Sequence, residues 1–327
     1  MNELTFVERR EPGWQKLTRL CDRADISVGS LTSSEFREFV RLYRQASADL
    51  AVVRARSGND ALAEFLNDLV SRAYAILYRA PKVPFLDVVL STLRLVAQTA
   101  RRRAAFLAAS AAFFFGSILF SYAVISIWPE SRGVFVQPAM EDNFTAWKEG
   151  LPARSGEESA MATSMYASNN PVAALLTSNI AAASFGIGTV YVLYQNGTII
   201  GALARDMAGV GKLGLLVVWL APHGVTELSG LVFSGAAGFV LAWALIAPGR
   251  KSRVESLAIA GKDAIVMLGT AVGMMFLAAP VEGFFSFNPT IPMGLKAAFA
   301  GTMACAWAAF WIGFGRNPSP PKSAAQP

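Results

Sequence analysis

The sequence predicts an all-α, polytopic membrane protein with a helical N-terminal domain outside the bilayer. Three observations carry that reading. Hydrophobic residues make up 54% of the 327-residue chain and charged residues only 16%, against about a quarter charged in an ordinary soluble protein. The charge deficit lies almost entirely after Ala104, whereas residues 1–103 have the charge density of a soluble helical domain. Several later stretches are apolar over roughly the 20 residues that a bilayer-crossing helix needs. Residues 1–103 are therefore read as a cytoplasmic helical domain and 104–315 as a transmembrane domain of about six spans, one of them broken. Residues 129–168 form an extracytoplasmic loop and 316–327 a basic, Pro/Ser/Ala-rich disordered tail.

The first residues lack a basic stretch followed by an apolar core, so no cleavable signal peptide is expected and the first span directs insertion. A helix from Pro12 puts Trp14, Leu17 and Leu20 or Cys21 on one side, with Trp14 as a core residue rather than a membrane-surface anchor. Thr32-x-x-Glu35 is a capping box, and Phe36, Phe39, Val40, Tyr43, Ala46, Leu50 and Val53 follow at helical spacing. Gly58 and Asn59 end that helix and Asp60 caps the next, whose stripe runs from Leu62 to Ile76. Pro81 and Pro84 punctuate, and Phe85 to Thr99 is an amphipathic helix leading into Arg101-Arg102-Arg103. Cys21 and Cys305 fall in different domains, which excludes a disulfide framework. The net charge of +6 comes without a basic stripe interleaved with aromatics, so nucleic acid is not an expected partner.

The arginines before Ala104 place the N-terminal domain in the cytoplasm by the positive-inside rule. The first span runs from Ala104 to Ile127 and closes on Trp128-Pro129; Phe135, Phe144 and Trp147 of the following loop are expected at the membrane surface. Asn169-Asn170-Pro171 reads as the start of a second span and Asn196-Gly197 as its stop. Residues 198–221 contain Arg205, Asp206 and several glycines. They count as a span because Arg250, Lys251 and Arg253 should be cytoplasmic, and Arg205 and Asp206 then lie near its inner end. Pro222 opens a fourth span to Ala247. Two more follow at about Asp263 to Ala279, where Gly269-x-x-x-Gly273 is a close-packing motif, and Met293 to Phe314.

The fourth span carries the chain's single histidine. His223 and Glu227 sit at i and i+4 on one face of the helix, and an ionisable residue inside a membrane helix is a functional or helix-pairing candidate. Asn169, Asn170 and Asn179 of the second span are the partners expected opposite. Pro222 and Gly224 break the helix, and Gly230 and Gly238 continue a small-residue side for a neighbouring helix.

Phe6-Val7-x-Arg9-Arg10-x-Pro12-x-Trp14, Ser47-Ala48-Asp49-Leu50-Ala51 and Tyr78-Arg79 mark the soluble half. Asn169-Asn170, Asn196-Gly197 and Pro222-His223-Gly224-x-x-Glu227 mark the membrane half. Together these resemble the stage II sporulation protein M family, and the Pro-His-Gly-x-x-Glu element is the most specific part. Nothing after Lys262 contributes to the resemblance. It implies a membrane anchor that localises two cell-wall-degrading partners, an amidase and a lytic transglycosylase, at the engulfing septum of endospore formers.

Three readings of the His223/Glu227 pair follow. In the first, Glu227 fixes helices together in a membrane scaffold whose partners are lipids, membrane or cell-wall-associated proteins, or a second copy of the chain. In the second, Glu227 and His223 line an ion or proton pathway. The third is a metal-dependent hydrolase. It is the weakest, because one histidine does not make a catalytic zinc site unless carboxylates fill in, and His-Glu-x-x-His, Gly-x-Ser-x-Gly and phosphate-loop motifs are absent from the sequence. No catalytic residue, metal or cofactor is assigned, and the expected location is the cytoplasmic membrane with both termini inside. An impermeant thiol reagent should accordingly label a cysteine placed at Ser155 in intact cells and spare one at Ser319; labelling at Ser319 alone refutes the topology.

Overall fold

The computed structural model describes residues 3–26, 31–78 and 84–316. Arg79, Pro81 and the tail beyond Arg316 lie outside them. The described residues are helical, without a strand among them, and divide into two compact units, Met1–Phe85 and Leu86–Ser319.

The first unit consists of α1 (Glu3–Ile26), α2 (Ser33–Arg56) and α3 (Asp60–Leu77). α2 starts at the capping box: Thr32 Oγ1 accepts from the Glu35 amide and Glu35 reaches back to the Thr32 amide. Arg23 also bonds Glu35 at 2.6 Å, and the two partners hold its carboxyl down to about 2. Asn59, rather than Asp60, supplies the cap of α3. The core contains Trp14, Leu17, Phe39, Leu66 and Ala73. Trp14 is 3% exposed and its Nε1 donates to buried Asp49 at 3.0 Å, so the indole is a core residue. Pro12 lies within α1 and does not start it. Cys21 is buried, which pushes its thiol up to about 11.

The second unit is a helical bundle. α4 (Phe85–Arg102) leads to α5 (Ala104–Ile127), with Arg103 out of helical geometry between them. The unit boundary at Phe85 assigns α4 to the bundle rather than to the N-terminal domain. Two short helices, α6 (Arg132–Phe135) and α7 (Glu141–Glu149), precede α8 (Gly156–Ser184), α9 (Ile187–Gly209), α10 (Leu213–Ile246), α11 (Arg253–Pro280) and α12 (Met293–Gly313). A π-helical segment, Val281–Ser286, continues α11. Four of these helices, α5, α10, α11 with its π extension, and α12, are long and apolar enough to cross a membrane.

Side-chain register gives the directions. Gly197 and Gly201 of α9 lie on the Phe114 and Ile118 carbonyls of α5, so these two helices run parallel. Asn170 and Ala174 of α8 meet Glu227 and Ser234 of α10, also in parallel. Gly230 of α10 lies on the Ala271 carbonyl of α11 and His223 meets Ser286, which makes that pair antiparallel. Thr226 and Phe233 of α10 meet Trp307 and Trp311 of α12, again in parallel. The six long helices therefore alternate in direction along the chain.

Several expected boundaries are corrected. α8 begins at Gly156, where Ser155 and Glu158 form a capping box, so Asn169-Asn170-Pro171 lies inside a helix. Asn196-Gly197 lies inside α9, and the real turn is Phe185-Gly186, both at positive φ. Gly197 is there because a Cβ would stand 2.5 Å from the Phe114 carbonyl, which is helix packing rather than helix termination. Pro222 lies inside α10, whose start is at Leu213 after Gly211, and α11 starts at Arg253, capped by Ser252, rather than at Asp263. A proline within a membrane helix removes one backbone donor, a loss that neighbouring helices and local adjustments make tolerable. Gly269 and Gly273 have no neighbouring atom within 4 Å where a Cβ would stand, so among the described residues no helix packs closely on this motif.

The ends of the bundle differ in charge. At one end, Arg102 and Arg103 both bond Asp263 at 2.8 Å, Arg101 donates to the Trp311 carbonyl, and Arg253 donates to the Leu245 carbonyl. At the other, Arg132 bonds Asp206 and Glu141, with Lys148 3.7 Å from Asp206. Asp206 therefore lies at the end where α5 terminates, not at the expected inner end. Glu141 and then Asp206 hold the Arg132 guanidinium above its ordinary range. Phe135, Phe144 and Trp147 are buried within the protein instead of resting on the membrane surface.

The α5–α9 contact yields a direct test. A side chain at Gly201 overlaps the Ile118 carbonyl and Ser121 Oγ, so Gly201→Val should lower thermal stability in detergent by about 1–3 kcal/mol. Gly273→Ala, in open space, should leave it unchanged or raise it by up to about 1 kcal/mol.

Candidate functional site

The polar interior of the bundle forms where α8, α10 and the π segment meet. The Ser155 cap sets the phase of α8, and Ser159, Thr163, Tyr166 and Asn170 then fall at helical spacing along one side. Gly283 presses its backbone onto Ser159 and Thr163, leaving no room for a Cβ. That contact seats the π segment against α8. The wider π turn places Glu282 and Ser286 towards α10, and such segments recur at functional sites.

His223 is 3% exposed, and its Nδ1 is 2.8 Å from Ser286 Oγ. Asn170 Nδ2 donates to Glu227 Oε1 at 2.9 Å and ties α8 to α10. Glu282 is buried and its Oε2 has no hydrogen-bond partner among the described residues. One ligand-capable atom from each of His223, Glu227 and Glu282 lies within 4.8 Å of the others. Phe287 stacks edge-on to His223 at 5.2 Å and to Trp147 at 5.4 Å, and the Arg154 guanidinium stands over the Phe287 ring at 5.6 Å. The cluster is thus walled by aromatic rings on one side and by hydrogen-bonding side chains on the other.

Of the residues singled out in the sequence, His223, Glu227 and Asn170 come together. Asn169 and Asn179 are exposed and do not join them. Gly224 has only Leu220 and Leu228 of its own helix nearby. A Cβ at Gly230 would stand 3.0 Å from the Ala271 carbonyl and one at Gly238 2.6 Å from Thr189 Oγ1, so α11 and α9 both approach α10 closely there. Pro222 is buried in a continuous helix and breaks nothing.

Sequence reasoning missed Glu282, Ser286, Tyr166 and Arg154. The signal for Glu282 was a lone carboxylate two residues beyond Pro280, in the stretch between the last two expected spans. Lys296 was missed as well. It is fully buried in α12, its ammonium lies over the Trp219 ring at 4.3 Å, and it has no hydrogen-bond partner among the described residues. A cation over an indole face is held by the ring quadrupole.

The family model for Stage II sporulation protein M matches residues 110–287, which spans α5 to the end of the π segment and every member of the polar cluster. The chain belongs to the stage II sporulation protein M family. The match covers Pro222-His223-Gly224-x-x-Glu227, the most specific part of the resemblance, and extends past Lys262 to take in Glu282 and Ser286 as well. The N-terminal unit matches separately, over residues 4–79, a domain of unknown function, DUF8413. No curated protein and no solved structure matches the chain.

The Asn170–Glu227 bond predicts a contrast between two substitutions. Glu227→Gln keeps an acceptor for Asn170, and Glu227→Leu removes it. Loss of a buried partner costs about 1–3 kcal/mol in soluble proteins and nearer 0.6 in membrane bundles. Thermal melts in detergent, with a chelator present so that hydrogen bonding alone is compared, should place Gln within about 0.5 kcal/mol of wild type and Leu clearly below it.

Proposed function

We propose that this member of the stage II sporulation protein M family is a non-catalytic membrane platform that localises partner proteins, among them cell-wall-remodelling enzymes. The observation that carries the reading is backbone-level packing in the bundle. Gly197 and Gly201 bring α9 onto the carbonyls of α5, and Gly235 and Gly238 bring α10 onto Ser110 of α5 and Thr189 of α9. Helices locked at that distance make a rigid body suited to presenting surfaces. The outer helices leave such surfaces free: α12 buries few residues besides Lys296 and Ala300, and α5 keeps Phe113, Leu119 and Phe120 exposed. The family name refers to sporulation, and the resemblance supplies the class of partner. In this reading the end of the bundle holding Arg101–Arg103 and Arg250–Arg253 faces the cytoplasm by the positive-inside rule, both termini lie on that side, and Arg132, α7 and the polar cluster lie towards the outer face.

Purification from gently solubilised membranes tests the proposal. The expected result is a membrane or cell-wall-associated protein retained at fixed stoichiometry through size exclusion. Recovery of the chain free of any protein partner, from cells in which it is expressed at its native level, overturns it.

A further inference from the structure

We propose that His223, Glu227 and Glu282 bind a divalent metal ion of the zinc class, where α8, α10 and the π segment meet. The site goes beyond the platform reading and does not depend on it. Three facts converge. An imidazole and two carboxylates, drawn from α10 and from the π segment that ends α11, offer ligand atoms within 4.8 Å of one another. Zinc takes such ligands at about 2.0–2.2 Å, which sets them about 3.3–3.6 Å apart in a tetrahedral site, so the three side chains would draw together around an ion. Glu282 Oε2 is a buried acceptor on a residue 8% exposed, and it has no hydrogen-bond partner among the described residues. A buried polar atom of that kind calls for a bound group.

The surrounding bonds leave the ligand atoms free. Asn170 occupies only Oε1 of Glu227, and Ser286 holds only Nδ1 of His223. Hydrogen bonds of this type orient metal ligands. Charge agrees in sign. Arg154 is the cation acting on Glu282, and with both carboxylates deprotonated, as metal binding requires, one guanidinium leaves the cluster negative. Nitrogen with two carboxylate oxygens suits zinc and its first-row neighbours; calcium and magnesium favour all-oxygen shells. Three protein ligands leave a fourth position for water, and Tyr166 interacts with Glu282 beside them. The competing explanation is a proton shared between Glu227 and Glu282.

The full chain, purified in detergent and stripped with chelator, should be titrated with Zn²⁺ and with Co²⁺ as a spectroscopic probe. Bound metal is then measured by elemental analysis after gel filtration, alongside the melting midpoint. The expected result is about one ion per chain, with a midpoint raised by about 5 °C or more at saturating metal. Glu282→Gln and His223→Gln should each weaken binding at least about tenfold, while Glu141→Gln, at the Arg132 network, should bind as wild type does. Wild-type chain that takes up less than about a tenth of an ion at micromolar Zn²⁺, with no shift in midpoint, overturns the site and leaves the shared proton. Uptake unaltered by Glu282→Gln overturns it too, because the ion is then adventitious. If either variant fails to fold, the wild-type stoichiometry and the Co²⁺ spectrum decide alone. Retention of a protein partner is a separate measurement, so either proposal can fail without the other.

Discussion

Everything in the bundle depends on how closely other helices approach α10. Lipid tails are as apolar as leucine, so membrane helices gain little from hydrophobic burial against one another and associate through tight packing and polar contacts. α10 supplies both. Gly235 and Gly238 admit α5 and α9, Gly230 admits α11, Ser234 bonds the Ala174 carbonyl of α8, and Thr226 accepts from Trp307 of α12 at 3.0 Å. Thr226, Gly230, Ser234 and Gly238 follow one another at four-residue spacing, a stripe that turns slowly around the helix, with Gly235 beside it, so neighbouring helices meet α10 in succession. The polar cluster rests on this arrangement, because His223 and Glu227 lie about two turns and about one turn before Gly230. Any shift of α11 at Gly230 also moves Glu282 relative to them.

Much of the architecture was legible in the sequence. The capping box at Thr32, the helical spacing of the soluble core, the apolar spans and the Pro-His-Gly-x-x-Glu element are all local signals, and local signals survive in a single chain. Helix termini were harder to read, for a physical reason. Pro171, Gly197 and Pro222 end helices in water, where exposed backbone groups find solvent, but in a packed membrane bundle the same residues serve close approach or are accommodated by neighbours. A rule calibrated on soluble helices therefore placed the turns roughly ten residues away from the Phe185-Gly186 and Gly211 positions where they occur.

What could not be read were pairs that meet only in three dimensions. Glu282 reaches His223 and Glu227 across most of α10 and α11, and a single carboxylate beyond a proline gives no hint of that. Arg132 and Asp206, bonded at 2.9 Å, are likewise brought together only because α5 and α9 run parallel with their C-terminal ends side by side. That same pairing reverses the inner placement that charge patterning gave Asp206.

The length of α10 has a consequence of its own. Its 34 residues extend about 51 Å, some 20 Å more than the hydrocarbon layer of a typical bilayer. His223 lies ten residues from its start, about 15 Å along the axis. In an upright helix centred in the bilayer, that is only a few ångströms inside the hydrocarbon boundary. The polar cluster then equilibrates with one compartment and not the other, and lipid thickness becomes a control variable: thicker membranes submerge it, thinner ones wet it.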